Sequence, residues 1–460
     1  MRILLRILVV LFVLLLICWL VGVDRVDYTP YFETEYYRTT MDRLEQQADK
    51  LFMEKGRVLV GMAKVNITPA AENGWDVAAE ALPLAGYGKR DGQPAQGVHD
   101  SLFVKVLLLK VGEEMLAIVG ADLLIVPPEL VAQTQEKLAV DGLIDREQIF
   151  YSATHTHSGV GGWSSHYVGE AFAGAPNPRI TDWLAERFAH ALNQAMYDLK
   201  SGSIASGSFI APDQVYNRLV KELGTEQSTF SYLLAQQEEG KKAVIGIFDA
   251  HATTLNDENM TYSADYPAYW YKKMSAAGFD LPIFCAGSVG SHGPESSGRG
   301  FEKAQHLGEV LADSLQSHLD SVSWQDTLDL AVTNLKLELP PFQVRISDHW
   351  RLAPFLVKKL FPPIGETSVQ SARIGKLIWS TMPADFSGEL ALIHEDRLRT
   401  DGFSSTITSF NGAYIGYIIP EKYYYLNEYE SRVMSWFGPY MTPYLNEVLL
   451  RMTDQLTALP

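Results

Sequence analysis

The chain opens on an uninterrupted apolar run from Ile7 to Val23, and beyond it short apolar stretches alternate with polar, glycine-marked connections. As a helix that run spans about 26 Å, slightly short of the roughly 30 Å hydrocarbon core of a bilayer. Leu4 and Leu5 extend it, and the stem of Arg6 can carry its charge back to the headgroups. Arg2 and Arg6 before the run, with Asp24 and Asp27 behind it, predict an inside N-terminus and a body on the extracytoplasmic side. No small-x-small cleavage pattern precedes Asp24, and the neighbours of Cys18 are too bulky for a lipid-modification site. Residues 1–26 therefore read as a retained transmembrane signal anchor, with a cleaved leader as the alternative.

Residues 27–55 are polar with tyrosine and glutamate interleaved, and Thr40 to Phe52 has helical spacing, which predicts a stalk or a helix packed on the body. From 56 onward the pattern changes to strand and helix in turn. Arg57 to Pro69 reads as a strand; Val98 to Leu109 and Met115 to Asp122 read as two strands joined at Gly112; Pro127 to Ala139 reads as a helix. Glu147 to Tyr151 is a short buried strand, and Ile180 to Leu199 is an amphipathic helix. Three further apolar strands run into polar groups: one from Ala243 into His251, one from Leu281 into His292, one from Ile374 to Pro383 into Asp385. Such alternation predicts an α/β fold with a mixed β-sheet core flanked by helices, a single large catalytic domain over 56–460 behind the transmembrane helix. Leu339 to Pro363 is an amphipathic, aromatic-rich insertion: packed core or lid in one reading, an element docking at a bilayer interface in the other.

Composition narrows the choice of partner. A chain of 460 residues that is 47% hydrophobic and 20% charged is long enough to bury a sizeable core. A net charge of −17 argues against nucleic acid and against a basic patch for anionic lipid. Two cysteines, Cys18 and Cys285, cannot form a disulfide framework.

The chemistry concentrates at Ser152-Ala-Thr-His-Thr-His-Ser-Gly159, where the chain leaves a strand through small residues. Side chains two apart share a face of an extended strand, so His155 and His157 point the same way if extension persists. Paired imidazoles there suit a transition metal such as zinc, or one ligand beside one acid/base, or two histidines satisfied by loop hydrogen bonds. Because ligands gather at strand ends in α/β proteins, the ends bearing His155, His251 and His292 are expected to converge.

Several spaced motifs together resemble the neutral, non-lysosomal ceramidase family. They are Val58 to Pro69, Ala85-Gly-Tyr-Gly88 with Gly97-Val-His99, Thr154-His-Thr-His-Ser-Gly159, Asp249-Ala-His-Ala-Thr-Thr254, and Tyr417, Tyr424, Tyr429 and Glu430 running into Trp436-Phe-Gly-Pro439. The resemblance implies a zinc ion held by His155, His251, Tyr417 and Asp385, which stands where the family has glutamate; Glu389 is the fallback. It also implies that His157 and Tyr429 stabilise the oxyanion and leaving group, and that Arg218 is the active-site arginine. The family's nucleophilic serine falls at Gly293 in Gly290-Ser-His-Gly-Pro294, so either Ser291, with His292 as an added acid/base, or a zinc-activated water is expected to attack. No counterpart is expected for the C-terminal β-sandwich domain common in that family. What the resemblance implies is a zinc-dependent amide hydrolase cleaving the N-acyl bond of ceramide or a related N-acyl lipid. The alternatives are a hydrolase of the same fold on a non-lipid amide or ester, and an inactive binding protein on this scaffold.

Overall fold

A computed structural model describes residues 2–76, 80, 82–138 and 144–460. Two sheets form the centre. The eight-stranded sheet has the order Leu281–Ala286, Lys242–Phe248, Thr229–Gln237, Lys200–Ile210, Leu59–Asn66, Phe103–Val111, Glu114–Ala121 and Ile149–Ala153. The five-stranded sheet has the order Glu54–Arg57, Thr327–Lys336, Ser368–Ile374, Leu377–Met382 and Ser404–Ser409. Both are mixed. Neighbours pair antiparallel except at Glu114–Ala121 with Ile149–Ala153, Lys242–Phe248 with Leu281–Ala286, and Leu377–Met382 with Ser404–Ser409.

The sheets pack face to face. Leu107, Ile118, Phe150 and Ile245 of one meet Leu330, Ile374 and Trp379 of the other. Alternate residues point the opposite way: Val104, Val106 and Val119 face helix Pro178–Tyr197, while Phe230 and Phe284 face helices Tyr266–Ala276 and Phe301–His318. Helices Gly388–Thr400 and Met441–Thr457 cover the outer face of the smaller sheet. With apolar layers on both sides, inner strands such as Phe103–Val111 are apolar at nearly every position rather than alternating.

Some boundaries depart from the sequence reading for identifiable reasons. Ile374 to Pro383 is not one strand: the chain reverses at Gly375, whose φ of 61° permits a tight hairpin turn, so Ile374 closes the preceding strand. Val98 to Leu109 is interrupted too, because Gly97–Val98 pairs with Thr261–Tyr262 and the long strand starts only at Phe103. The helix expected to begin at Pro127 runs Pro128–Leu138, and Ala139 lies outside the described residues.

The two halves of the large sheet share only the pairs Leu59↔Ser201 and Val60↔Lys200. So weak a junction lets the sheet fold over, bringing Leu281–Ala286 onto Glu114–Ala121. A Cβ on Gly120 would lie 2.5 Å from Ile283 and 3.2 Å from the Phe284 carbonyl, so the close approach requires glycine there. Ser409 Oγ donates to the Gly287 carbonyl (2.8 Å) and Ser152 Oγ to the Ser409 carbonyl (3.2 Å), lashing three strand ends together.

Helix Arg2–Gly22 is long and apolar enough to cross a membrane, with a mean hydropathy of 3.1, and its apolar window is not buried in the body. Residues Val23–Arg25 then pair antiparallel with Trp350–Leu352. Helix Glu35–Ala48 packs on the body through Met41 and Leu44. In the aromatic-rich insertion, Phe342, Val357 and Phe361 are buried with Trp436 and Phe437, whereas Phe355 is exposed.

Burial of histidine sets an acid limit on this fold. Burial pushes the His394 pKa down to about 4, against an Asn446 hydrogen bond that raises it. The unfolded chain therefore binds the proton first, near pH 6.5, and stability falls as pH drops from about 6.5 to 4. His394→Gln is expected to flatten that stretch of the denaturant-midpoint curve, removing roughly 3 kcal/mol of its fall. An unchanged slope would refute it.

Candidate metal centre

The residues of the centre come from three loops that follow strands and from a short ladder beside the third. His155 and His157 follow Ile149–Ala153, and His251 follows Lys242–Phe248. Asp385 follows Leu377–Met382 and pairs in register with Tyr417 across a two-residue parallel ladder, which sets carboxylate and phenol side by side. Gly290 packs so tightly on the Asp385 carbonyl that no side chain fits there.

The two histidines of the Thr-His-Thr-His stretch do not converge by strand alternation. Extension ends at Ala153, and His155 sits at φ 59°, a left-handed conformation costly for a residue with a Cβ and characteristic of functional sites. The kink turns the rings nearly perpendicular (88°) with their Nε2 atoms 3.4 Å apart. His157 fits because residue 86 is glycine at φ 121°; a Cβ there would come within 2.6 Å of it.

The donor set closes on one point. Asp385 Oδ1 is 3.5 Å from His155 Nε2 and 3.3 Å from His251 Nε2, and the Tyr417 hydroxyl is 3.1 Å from His251 Nε2. Ligands about 2.0–2.2 Å from a tetrahedral ion stand roughly 3.3–3.5 Å from one another, so these spacings suit a tetrahedrally held divalent metal. The second nitrogen of the His155 and His251 rings is committed: Nδ1 of His155 donates to the Leu124 carbonyl (2.6 Å) and Nδ1 of His251 to the His292 carbonyl (3.0 Å). Those bonds leave both Nε2 lone pairs facing the centre. Asp385 Oδ2 accepts from Tyr414 (2.6 Å), while Oδ1, fully buried, has no hydrogen-bond donor. A buried carboxylate oxygen without a donor is what a cation would satisfy. The ring nitrogens of His155, His157 and His251 also lie within 4.8 Å of one another, so His157 is near enough to join the set.

Burial lowers the His155 pKa to about 3 and drives His157 and His251 well below their ordinary value, so all three are neutral and able to ligate. Burial likewise raises Asp385 and Tyr417. Arg218 goes the other way: burial lowers its pKa, but Tyr417 and Glu430 outweigh that and hold it above its usual value. Its Nη2 donates to the Tyr417 hydroxyl (2.9 Å), and Nε is 2.9 Å from Glu430 Oε1.

A cavity of about 410 Å³ opens onto the donors, with Leu124, Ile125, Val168, Phe172 and Met434 among its walls and His155, His157, Asp385, Tyr417 and Tyr429 at its polar end. Tyr429 stands at its edge, 55% exposed, with its ring edge-on to Tyr417.

Of the residues predicted from sequence, His155, His157, His251, Asp385, Tyr417, Arg218 and Tyr429 are brought together here. Ser291 and His292 are not. The Ser291 hydroxyl is buried against Ser387 Oγ (2.7 Å) and His292 Nδ1 (2.9 Å), and His292 Nε2 accepts from the Gln227 amide (2.9 Å). Neither side chain lines the cavity. Gly293 offers no hydroxyl, and a Cβ there would meet the Tyr216 ring at 2.8 Å. Glu389 is held away by the Thr225 amide, Lys422 and Tyr423. Tyr414, which steadies Asp385, and Glu430, which pairs with Arg218, carried no recognisable role in the sequence; each is one residue in a tyrosine-rich stretch.

Sheet order and donor cluster together define a mixed α/β protein with a buried centre suited to a divalent metal. The family model for neutral/alkaline non-lysosomal ceramidase, N-terminal, matches residues 59–277. The fold matches neutral ceramidase from Pseudomonas aeruginosa at 18% identity, with a TM-score of 0.71 over 88% of this chain and 75% of that one. A structure described as a ceramidase complexed with C2 matches at 17% identity, with a TM-score of 0.74 over 88% and 76% of the two chains. The chain is thus similar to the neutral/alkaline non-lysosomal ceramidases, and shares their fold.

Proposed function

We propose that this chain is a zinc-dependent hydrolase that cleaves the N-acyl amide bond of ceramide or a related N-acyl lipid, held to a bilayer by its N-terminal helix with the body on the extracytoplasmic side. The observation that carries the reading is a donor cluster of zinc spacing at the polar end of an apolar-walled cavity. His155, His251, Asp385 and Tyr417 would hold the ion, which when bound supplies a Lewis acid for the amide carbonyl and makes a water more acidic. The apolar walls accept the acyl chain and exclude bulk water. His157, neutral and with Nε2 directed at the donor cluster, and the Tyr429 phenol donate to the oxygen that gains charge and to the departing nitrogen. Arg218 holds the Tyr417 hydroxyl in place.

Water is the attacking group in this reading, because the buried Ser291 hydroxyl is engaged by Ser387 and His292. Ser291→Ala is expected to leave kcat within about threefold, losing only hydrogen bonds worth about 1 kcal/mol each to stability. A drop beyond about a hundredfold in a folded variant would reinstate serine.

One observation favours a second reading: glycine at position 293, with Tyr216 against it, suits a protein that binds without turnover. Full-length protein in detergent, assayed on N-acyl lipids and on soluble short-chain amides with and without chelator, separates the two. Chelator-sensitive hydrolysis of the lipid supports the enzyme. Stoichiometric zinc with no turnover on either substrate selects the binding protein, and turnover of soluble amides alone removes the lipid.

A further inference from the structure

The membrane helix is not joined to the body by a loose tether. Strand Val23–Arg25 pairs with Trp350–Leu352, the Ala353 amide donates to the Gly22 carbonyl (2.9 Å), and the Val26 amide to the His349 carbonyl (3.1 Å). The Trp19 and Trp350 rings lie 4.8 Å apart, and the Arg25 guanidinium sits 4.9 Å from the Trp350 ring centroid. Paired tryptophans with a basic group at the end of a spanning helix are what the headgroup layer attracts. A splice of this kind fixes which face of the body meets the lipid.

That face carries the cavity mouth. Helix Pro354–Leu360 follows the splice directly and packs against helix His166–Ala173, which supplies Tyr167, Val168 and Phe172 to one side of the mouth. The other side, Tyr429–Val433, is tied to the same segment: Arg432 pairs with Asp348, and Arg345 Nη2 donates to the Tyr424 carbonyl (2.6 Å). Along this edge large apolar side chains stand in the open: Tyr167 is 76% exposed, Val433 53% and Phe355 47%. Lys358 and Lys359 are exposed beside Phe355 on a chain whose net charge is −17.

The geometry points to a lipid-docking face made by Tyr167, Phe355 and Val433, seated in the interface of the same bilayer that holds the N-terminal helix, so that the cavity opens into the lipid rather than into water. The occupant is a zwitterionic bilayer: the apolar side chains and short basic pair suit the headgroup boundary, while the overall negative charge disfavours anionic lipid. The placement rests on the anchor proposed above and is independent of catalysis.

The test uses the full chain carrying Cys18→Ser, with Cys285 left in place because it is buried. Single variants Tyr167→Cys, Phe355→Cys and Val433→Cys are labelled with an environment-sensitive fluorophore and reconstituted into phosphatidylcholine vesicles with or without doxyl-labelled lipid. Phe12→Cys, within the helix, reports insertion itself. Tyr197→Cys, 77% exposed at the far end of helix Pro178–Tyr197 from the centre, reports the water side. All three positions of the face are expected to be quenched at least about fivefold more than position 197. Quenching at 12 but at none of the three positions of the face overturns the docking face while leaving the anchor intact. No quenching at 12 overturns the anchor and the face with it. Quenching at 355 without 167 and 433 confines lipid contact to the splice and also overturns the proposal, as does a blue shift without doxyl quenching, which marks a second copy of the chain on this face.

Discussion

His251→Ala is expected to empty the centre of zinc and to lower kcat/KM on an N-acyl lipid by at least about 10³-fold, since Lewis-acid stabilisation is worth several kcal/mol. His251 is fully buried, and its Nε2 is close to both Asp385 Oδ1 (3.3 Å) and the Tyr417 hydroxyl (3.1 Å), so no neighbouring side chain replaces it without backbone movement. Metal content by mass spectrometry, read beside the near-ultraviolet spectrum, separates loss of the ion from loss of the fold. Retention of one zinc per chain, with activity within tenfold of the parent, would remove His251 from the ligand set.

Arg218→Ala should lower kcat by about 10- to 100-fold, the usual loss when a group that orients a metal ligand from outside is removed. Two partners suffer: the Tyr417 hydroxyl loses its donor, and buried Glu430 loses its counter-charge. An uncompensated buried carboxylate costs roughly 3–5 kcal/mol, so the single variant is also expected to unfold at lower denaturant. The double variant Arg218→Ala, Glu430→Gln removes that stranded charge; it should regain most of the stability and none of the activity. Recovery of both together would make Arg218 a scaffold residue only. Arg218→Lys keeps one charge but not the planar, two-sided reach to Tyr417 and Glu430, and is expected to fall between.

The residues themselves pointed to the paired histidines and to strand ends as the place where groups gather, because strand ends are where α/β proteins place ligands. The places of Asp385, Tyr417, Arg218 and Tyr429 in the candidate site came only through the family resemblance, since each is one residue in a loop or a tyrosine-rich stretch. The roles of Tyr414 and Glu430 were not legible, since they are defined by what they touch. Whether extension persists to His155 and His157 was not legible either: period-two alternation holds only for an extended chain, and the φ of 59° at His155 is set by the packing around it. Ser291, one of the two attacking groups that the sequence left open, has a side chain that turns toward Ser387, an orientation that the glycine-marked loop did not reveal.

By itself, then, the order of apolar and polar residues determined an N-terminal helix long and apolar enough to cross a membrane, the alternation of strands and helices, and the two histidine motifs, because these depend on local periodicity and on residue type. Only the tertiary structure decided which groups meet. The fold-over of the large sheet at its two-pair junction brings His155 and His251, far apart in the chain, within 3.5 Å of Asp385, and the pairing of Val23–Arg25 with Trp350–Leu352 ties the N-terminal helix to the body. Such long-range juxtapositions arise from burying both faces of two sheets at once, a condition no single stretch of sequence contains.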